Sequence, residues 1–376
     1  MRAKETLELD GPRPALPEER DEVLLCVNTV MRIAKGGQPT IADDYPHIYA
    51  PENLGDVFIV KDGSRVVSST GIWINTVQVR GTQLRVAGIN AVVTLPEYRR
   101  QGLGGNVMLA CQQHMSDQGC HLGFLGTGLY NWYRRLGWER ASVERWYAFD
   151  RGNIEVLPSP PEDVEVVRFH DLQRARLAEE LLDIHHADAL GGVRTPDLLR
   201  RLFVAKKVSS VYAARQENRM AAYLFTRGDT VIEWGGEAAL IAGLVRAWFK
   251  DTNEPAASTS GRDAEYQPVG QHSISLMAPA GGHPFVDLLE SQRFPCHVHP
   301  RRMLYLPDPQ AVLAAFGIRD IRISREGDCF IVERGADRIS VDRHQLTKLL
   351  FGPERISDLG ADLFPLPFWQ WLLEHV

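Results

Sequence analysis

Cysteine is scarce in this 376-residue chain: five residues, Cys26, Cys111, Cys120, Cys296 and Cys329, an odd number with no C-x-x-C pair. That scarcity excludes a disulfide framework and a thiolate zinc cage, and it fits reduced thiols in a cytosol. No apolar run approaches the roughly 18 residues that suggest a membrane span. The opening stretch MRAKETLELDGPRP is polar from the start, so no signal peptide is expected. An excess of positive charge is missing too: 42 Lys and Arg against 48 Asp and Glu leave a net charge of −6, which argues against a dedicated nucleic-acid binder. The nearest thing to a metal cluster is PCHVHP. Strand alternation puts His297 and His299 on one face and Cys296 on the other, with no second ligand group at zinc spacing, so it reads as a surface strand end and no metal is expected.

What is present is ordinary globular composition, 44% hydrophobic and 24% charged, in a chain long enough for two or three domains. Residues 17–34 carry apolar side chains at helical spacing behind a Pro-Glu-Glu start. DVFIVKDG is a strand that the Asp62-Gly63 pair closes as a hairpin, and further strands run to Thr94 with a turn at Arg80-Gly81-Thr82. GGNVMLACQQHMSDQG is a helix, CHLGFLGT a short strand, GLYNWYRRLGWERA a helix ending at Gly137, and VERWYAFD a strand. The order predicts an α/β fold with helices on a mixed central sheet. A linker with three prolines, residues 151–162, marks a boundary. Beyond it the plan repeats loosely: helix LQRARLAEELLDIHHADA, a strand series to Trp234-Gly235-Gly236, helix EAALIAGLVRAWFK, strand SISLMAP and helix PFVDLLESQRF. The stretch DTNEPAASTSGRDAEYQPVGQ is expected to be a mobile loop. From about residue 307 the pattern is a small α+β unit, and its tail, LFPLPFWQWLLEHV, is apolar enough to dock.

The chemistry concentrates in VVTLPEYRRQGLGG, residues 92–105. A strand that stops at a glycine-rich bend and opens into a helix leaves several backbone N–H groups unpaired and aimed one way, with the helix dipole behind them. That is an anion site, best suited to phosphate. Gly102, Gly104 and Gly105 allow close approach, and Arg99 and Arg100 add charge at the rim. Gly-Lys-Ser/Thr is absent, which excludes a P-loop, and GLGGNV fails the dinucleotide fingerprint at its third glycine. A diphosphate carried by coenzyme A remains, its amide-bearing arm pairing with a strand that splays from its neighbour.

TLPEYRRQGLG resembles the acetyl-CoA-binding signature of the GNAT superfamily of N-acetyltransferases, R/Q-x-x-G-x-G/A, on Arg99, Gly102 and Gly104. WYRRLGWE resembles its second hallmark, Tyr-x-x-x-Gly-Phe, from Tyr133 with Trp138 in place of phenylalanine. The layout is similar to Eis-type acetyltransferases. It implies a catalytic GNAT domain at 1–152, a degenerate GNAT-like domain at 153–306 that lacks the Arg-x-x-Gly-x-Gly element, and a sterol-carrier-protein-like domain at 307–376. The resemblance implies acetyl-CoA as co-substrate. It assigns Val92, Val93 and Thr94 to the pantetheine arm and thioester carbonyl, and the backbone of Arg99, Arg100, Gln101, Gly102, Leu103, Gly104 and Gly105 to the diphosphate. It makes Tyr133 the acid for the departing thiolate, with Tyr130 a rival on the same helical face. Asn90 stands near where many GNAT enzymes carry a strand glutamate and cannot take a proton. Eis-type relatives imply the C-terminal carboxylate, here Val376, as the base, with His375 an alternative. The expected activity is transfer of an acetyl group to a primary amine on a small molecule or peptide, in the cytoplasm, with no nucleic-acid or membrane partner and a homo-oligomer by family analogy. A coenzyme A-binding regulatory protein without turnover, or a transferase for a longer acyl group, are the alternatives.

Overall fold

A computed structural model describes residues 9–253, 273–300 and 302–376. The chain divides into two compact units, each discontinuous: residues 1–142, 300–368 and 374–376 form the first, and residues 143–299 and 369–373 the second. In chain order the first unit contributes β1 (Leu9–Pro14), α1 (Arg20–Met31), α2 (Ile41–Asp44), β2 (Val57–Asp62), β3 (Arg65–Val79), β4 (Thr82–Thr94), α3 (Leu103–Asp117), β5 (Leu122–Gly126), α4 (Tyr130–Arg134) and β6 (Glu139–Arg140). The second contributes β7 (Glu144–Phe149), β8 (Glu165–Phe169), α5 (Leu177–Asp188), β9 (Leu190–Gly192), α6 (Pro196–Ala205), β10 (Ser210–Gln216), β11 (Arg219–Arg227), β12 (Thr230–Gly236), α7 (Ala238–Asn253), β13 (Ile274–Ala278), α8 (Pro284–Ser291) and β14 (Cys296–His299). The chain then returns to the first unit with β15 (Arg302–Tyr305), α9 (Pro309–Ala315), β16 (Arg322–Glu326), β17 (Cys329–Arg334), β18 (Asp337–Val341) and α10 (Arg343–Phe351).

The first sheet runs β1-β2-β3-β4-β5-β15-β6, antiparallel except for the β4–β5 pair, and β16–β18 form a separate three-stranded sheet. The Asp62 hairpin differs by one residue from the sequence expectation: Asp62 stays in the ladder opposite Arg65, and the turn falls on Gly63, at φ +57°, and Ser64. The turn read at Arg80-Gly81-Thr82 is one residue shorter: Thr82 already pairs with Val79, and Arg80 and Gly81 both have positive φ as a two-residue hairpin loop requires. The entry to α1 is pinned electrostatically. Glu19 accepts from Arg13 at 2.7 Å, from Lys61 at 2.7 Å and from the Leu16 N–H at 2.9 Å. These bonds hold its carboxyl well below the usual range, at about 2, with the Arg13 hydrogen bond the largest cause.

The second sheet runs β14-β7-β13-β12-β11-β10-β8, parallel only between β12 and β13. The strand VERWYAFD, read from sequence as closing the first sheet, is β7 of this one, paired with β13 and β14, while β15 takes the place beside β5. The expected boundary at 152 therefore falls after a strand that the second sheet holds. PCHVHP is β14 at the edge of that sheet, and among the described residues no group of three His, Cys, Asp or Glu side chains is arranged to hold a metal ion. The loop expected after α7 lies, from residue 254, outside the described residues. No helix among those described is long and apolar enough to cross a membrane.

Candidate functional site

Alternation along β3 and β4 sorts the first sheet into two faces. Gly71 pairs with Asn90 and Trp73 with Gly88, so these four share one face, and Gly88 in turn pairs with Phe124 of β5. The opposite face carries α3, whose Met115 sulfur lies 2.9 Å from where a Cβ on Gly123 would stand. The parallel ladder between β4 and β5 covers only Val86–Gly88 against Leu122–Phe124. Beyond it β4 continues for six residues, Ile89–Thr94, with that edge unpaired among the described residues. Just past the parting point Ala91 takes a left-handed conformation, φ +49°, and the β3–β4 register shifts between Ser69 and Gly71 as the extra β4 residue is absorbed in a bulge. A splayed pair with a bulge on one arm leaves backbone N–H and C=O groups of β4 unpaired by β5.

Val92, Val93 and Thr94 lie on that free arm. Val93 is buried and its carbonyl accepts from Ser68 Oγ at 2.8 Å, while Thr94 Oγ1 lies 3.0 Å from the same hydroxyl. Leu95-Pro96 stops the strand and a short helical turn follows at Pro96–Tyr98. Arg99 is exposed and its Nε donates to the Thr94 carbonyl at 3.1 Å. Arg100 and Gly102 both have positive φ, +64° and +82°, which turns the chain sharply, and α3 starts at Leu103 with no side-chain cap. Among the described residues the N–H groups of Leu103, Gly104 and Gly105 have no backbone or side-chain acceptor, and the first closed turn is Asn106 N–H to Gly102 O at 3.0 Å. Nothing stands within 4 Å of where a side chain on Gly105 would begin, and on Gly104 only Thr94 Oγ1 at 3.4 Å and Trp132 at 3.8 Å. The loop is open, electropositive and uncapped, which is the arrangement a diphosphate needs.

Tyr133 sits in α4, 8% exposed, with its ring at right angles to that of Trp132 and centroids 4.7 Å apart. Its hydroxyl has no hydrogen-bond partner among the described residues, and burial pushes its pKa up to about 12. Tyr130, the rival, is half-buried with the Arg140 guanidinium 4.4 Å above its ring, so one face of it is already used. Asn90 is buried and accepts from Tyr49 OH at 2.9 Å, which makes it a packing link to a wholly buried tyrosine. The thiols of Cys26, Cys111 and Cys120 are buried, and burial pushes Cys26 to about 12 and Cys120 to about 11. None of them is a poised nucleophile.

The apolar tail docks. Trp369, Trp371 and Leu373 are buried within the second unit, and Glu374, fully buried, brings the chain back into the first. Val376 ends against the parting point of β4 and β5: a Cβ on Gly88 would lie 2.8 and 2.9 Å from its two methyls and 2.5 Å from Phe124 Cζ. His375 lies beside Gly126, its Cε1 3.9 Å from where a Cβ there would stand. Gly88 was missed in the sequence, although an isolated glycine inside RVAGINAVV signals a close approach to the strand. Trp132, the neighbour of Gly104, carries no sequence signal that separates it from an ordinary helix-face aromatic.

Residues 12–141 match the acetyltransferase (GNAT) domain family. They form a GNAT acetyltransferase domain. No curated protein matches the sequence. Three solved structures share the fold along most of the chain. A probable N-acyltransferase from Enterococcus faecalis V583 superposes with a TM-score of 0.62 at 17% identity, over 87% of this chain and 83% of its own. A GCN5-related N-acetyltransferase from Kribbella flavida gives 0.59 at 20% identity, over 89% and 84%. Eis1 from Mycobacterium abscessus gives 0.59 at 16% identity, over 88% and 84%. The GNAT domain therefore holds the splayed strands, the uncapped glycine bend and Tyr133, and β15 and Glu374–Val376 are grafted onto it from distant sequence.

Proposed function

We propose that the chain is an acetyl-CoA-dependent N-acetyltransferase that acts on a primary amine by direct attack. The observation that carries the reading is the early end of the β4–β5 ladder at Gly88 and Phe124, followed on the same strand by the bulge and the uncapped bend into α3. The edge of β4 at Val92–Thr94 that β5 leaves free accepts the pantetheine arm as an added strand. The N–H groups of Leu103–Gly105, with Arg99 and Arg100 at the rim, take the diphosphate.

The thioester carbonyl then lies near the bulge, where backbone N–H groups stabilise the oxyanion as the amine nitrogen forms its bond to carbon. The tetrahedral intermediate collapses by breaking the C–S bond, and the Tyr133 hydroxyl gives its proton to the departing thiolate. Its raised pKa keeps that proton in place at neutral pH. The proton lost by the attacking amine goes to the carboxylate borne by Val376, and the docking of its side chain on Gly88 supports that role. The C-terminal segment, a three-stranded sheet with α9 and α10, serves as a sterol-carrier-like scaffold.

Acetyl-CoA with a panel of primary amines, including polyamines, aminoglycosides and lysine peptides, should release free thiol in amounts equal to the amide formed. Carrier binding without thiol release for any amine would refute turnover and favour a sensor of acyl-CoA. A preference for propionyl or longer thioesters would replace the acetyl assignment while keeping the mechanism.

A further inference from the structure

The second unit holds a cavity of about 1010 Å3 that no step of the reaction above uses. It lies between α5, the start of β11 and the entrances to α7 and α8. Four carboxylates line it, Glu180, Asp183, Asp188 and Glu237, against two exposed guanidinium groups, Arg176 and Arg219, so negative charge is in excess by two. Among the described residues Glu180, Asp183 and Glu237 have neither an ion pair nor a side-chain hydrogen bond. Asp188 uses one oxygen, Oδ2, on the Gly236 N–H at 2.7 Å, and its other oxygen has no donor among those residues. Like charges gathered in one recess repel each other and raise the local concentration of cations.

A second observation is independent of the charge. His283 lines the same cavity and is only 5% exposed. Its Nδ1 accepts from the Phe285 N–H at 3.1 Å, which leaves the proton of the neutral ring on Nε2. The Trp234 ring, edge-on with centroids 4.7 Å apart, holds the imidazole in that orientation. Nε2 faces Asp188 Oδ2 at 3.7 Å, beyond hydrogen-bond reach, and has no other partner among the described residues. A buried donor without an acceptor is costly, and a ligand oxygen in the cavity would satisfy this one.

We infer that this cavity is a binding site for a cationic amino alcohol. Its ammonium groups pair with Asp183, Asp188 and Glu237, and its hydroxyl oxygen accepts from His283 Nε2. The ligand is held here and not acylated: Asp188 occupies the backbone donor at the α7 entrance, and the Trp234 indole, bonded to the Met277 carbonyl, fills the strand edge that a thioester carrier would need. The site lies wholly within the second unit, so the inference does not depend on the reading of the first.

The test is calorimetric, on the full chain at low salt and without acetyl-CoA. The probes are diaminopropanol and diaminopropane, dications that differ by the hydroxyl on the central carbon. One neutral hydrogen bond corresponds to about two- to tenfold in affinity, so the native chain should prefer diaminopropanol by about that factor. Asp183→Asn combined with Glu237→Gln removes two exposed charges and should weaken both probes about ten- to a hundredfold, the range for hydrogen bonds to charged groups. His283→Asn keeps an oxygen to cap α8 but withdraws the donor, and should bring the ratio of the two affinities close to one. Melting curves check that each variant folds; if His283→Asn does not, the native preference and the charge variant decide. No uptake of either probe by the native chain would overturn the inference. Equal affinity of the native chain for the two probes would do the same, and so would uptake unchanged in the charge variant, which would place the amine elsewhere.

Discussion

Replacing Gly88 with alanine adds a single methyl group at the point where β4 and β5 part. The new carbon would stand 2.5 Å from Phe124 Cζ and 2.8 and 2.9 Å from the Val376 methyls. Non-bonded carbons settle at about 3.5–4.0 Å, so a gap of about 1 Å has to open on each side. Phe124 is wholly buried and has little room to yield. Val376 is half-buried at the end of the described chain and has fewer contacts to lose. The strain of overpacking, about 1–3 kcal/mol, is therefore relieved mainly by lifting the tail. The fold should survive with a melting point a few degrees lower, and coenzyme A should bind as before, because the bend at Arg99–Gly105 is untouched. Turnover should fall by about 10²–10⁴, the range that a positioned proton acceptor supplies. Thiol-release rates with calorimetric coenzyme A affinity measure the two effects separately. Gly88→Ala combined with Val376→Gly removes the two methyls that collide and should recover part of the lost turnover. Native turnover in Gly88→Ala would refute the reasoning, since the tail could not then be both displaced and required.

Tyr133→Phe should lower kcat by about 10²–10⁴ and leave the KM for acetyl-CoA unchanged, because the hydroxyl acts on the thiolate and not on carrier binding. The folded Tyr133 titrates near 12 against 10 for a free phenol, so it adds nothing to the pH dependence of stability below about pH 10; as pH rises from 10 to 12 the folded state is progressively destabilised, which alkaline thermal melts of native and Tyr133→Phe chains would reveal. Glu19 has the opposite sign: its pKa is depressed from 4.5 to about 2, so its contribution is present above 4.5 and lost as pH falls through that window, and Glu19→Gln should flatten the acid limb of a melting profile. Gly105→Asp places a carboxylate at the open first turn of α3, where negative charge stabilises a helix by about 0.3–1 kcal/mol; the melting point should hold or rise while coenzyme A affinity falls at least about tenfold, and unchanged affinity would show that the bend binds no phosphate.

The parts of the site that were legible in the sequence are those whose chemistry is local. A strand stop, two arginines and three glycines within residues 92–105 dictate a sharp bend into a helix wherever the rest of the chain goes, and α3 begins within a residue of where the pattern puts it. Helix α6 was overlooked even though Thr195-Pro196 carries a cap signal: the Thr195 hydroxyl accepts from the Leu198 N–H at 3.2 Å and Pro196 occupies the first helical position. What local pattern does not carry is the choice of strand partner. VERWYAFD follows the first unit's helices without a break, and consecutive strands usually neighbour each other, yet β7 pairs with β13 and β14 and the place beside β5 goes to β15, more than 170 residues further on. The tail shows the same division. Its apolar composition announced that it would dock, but the groove it fills is made by Gly88 and Phe124, and a missing side chain has no hydrophobic signature of its own.

The second unit repeats the strand–glycine–helix plan with the opposite electrostatic sign, and the contrast explains why the plan alone is a weak guide to chemistry. Strand β12 runs beside β13 in parallel only at Thr230–Val231 and ends in Gly235-Gly236 before α7, much as β4 ends before α3. Here, however, the Gly236 N–H donates to Asp188 Oδ2 at 2.7 Å, and Glu237 stands at the entrance to the helix. The position that a phosphate oxygen would take is filled by a carboxylate from α5. The strand edge is filled as well: Trp234 is 1% exposed, its indole N–H donates to the Met277 carbonyl at 2.9 Å, and its ring meets those of His283, Phe285 and Trp371 edge-on. An anion approaching α7 would meet a charge of its own sign already seated on the backbone donor, and an extended arm would have to displace a packed indole. In the first unit the corresponding donors are open and flanked by Arg99 and Arg100. The two units therefore share the plan of strand, glycines and helix and differ in the handful of side chains at the helix entrance.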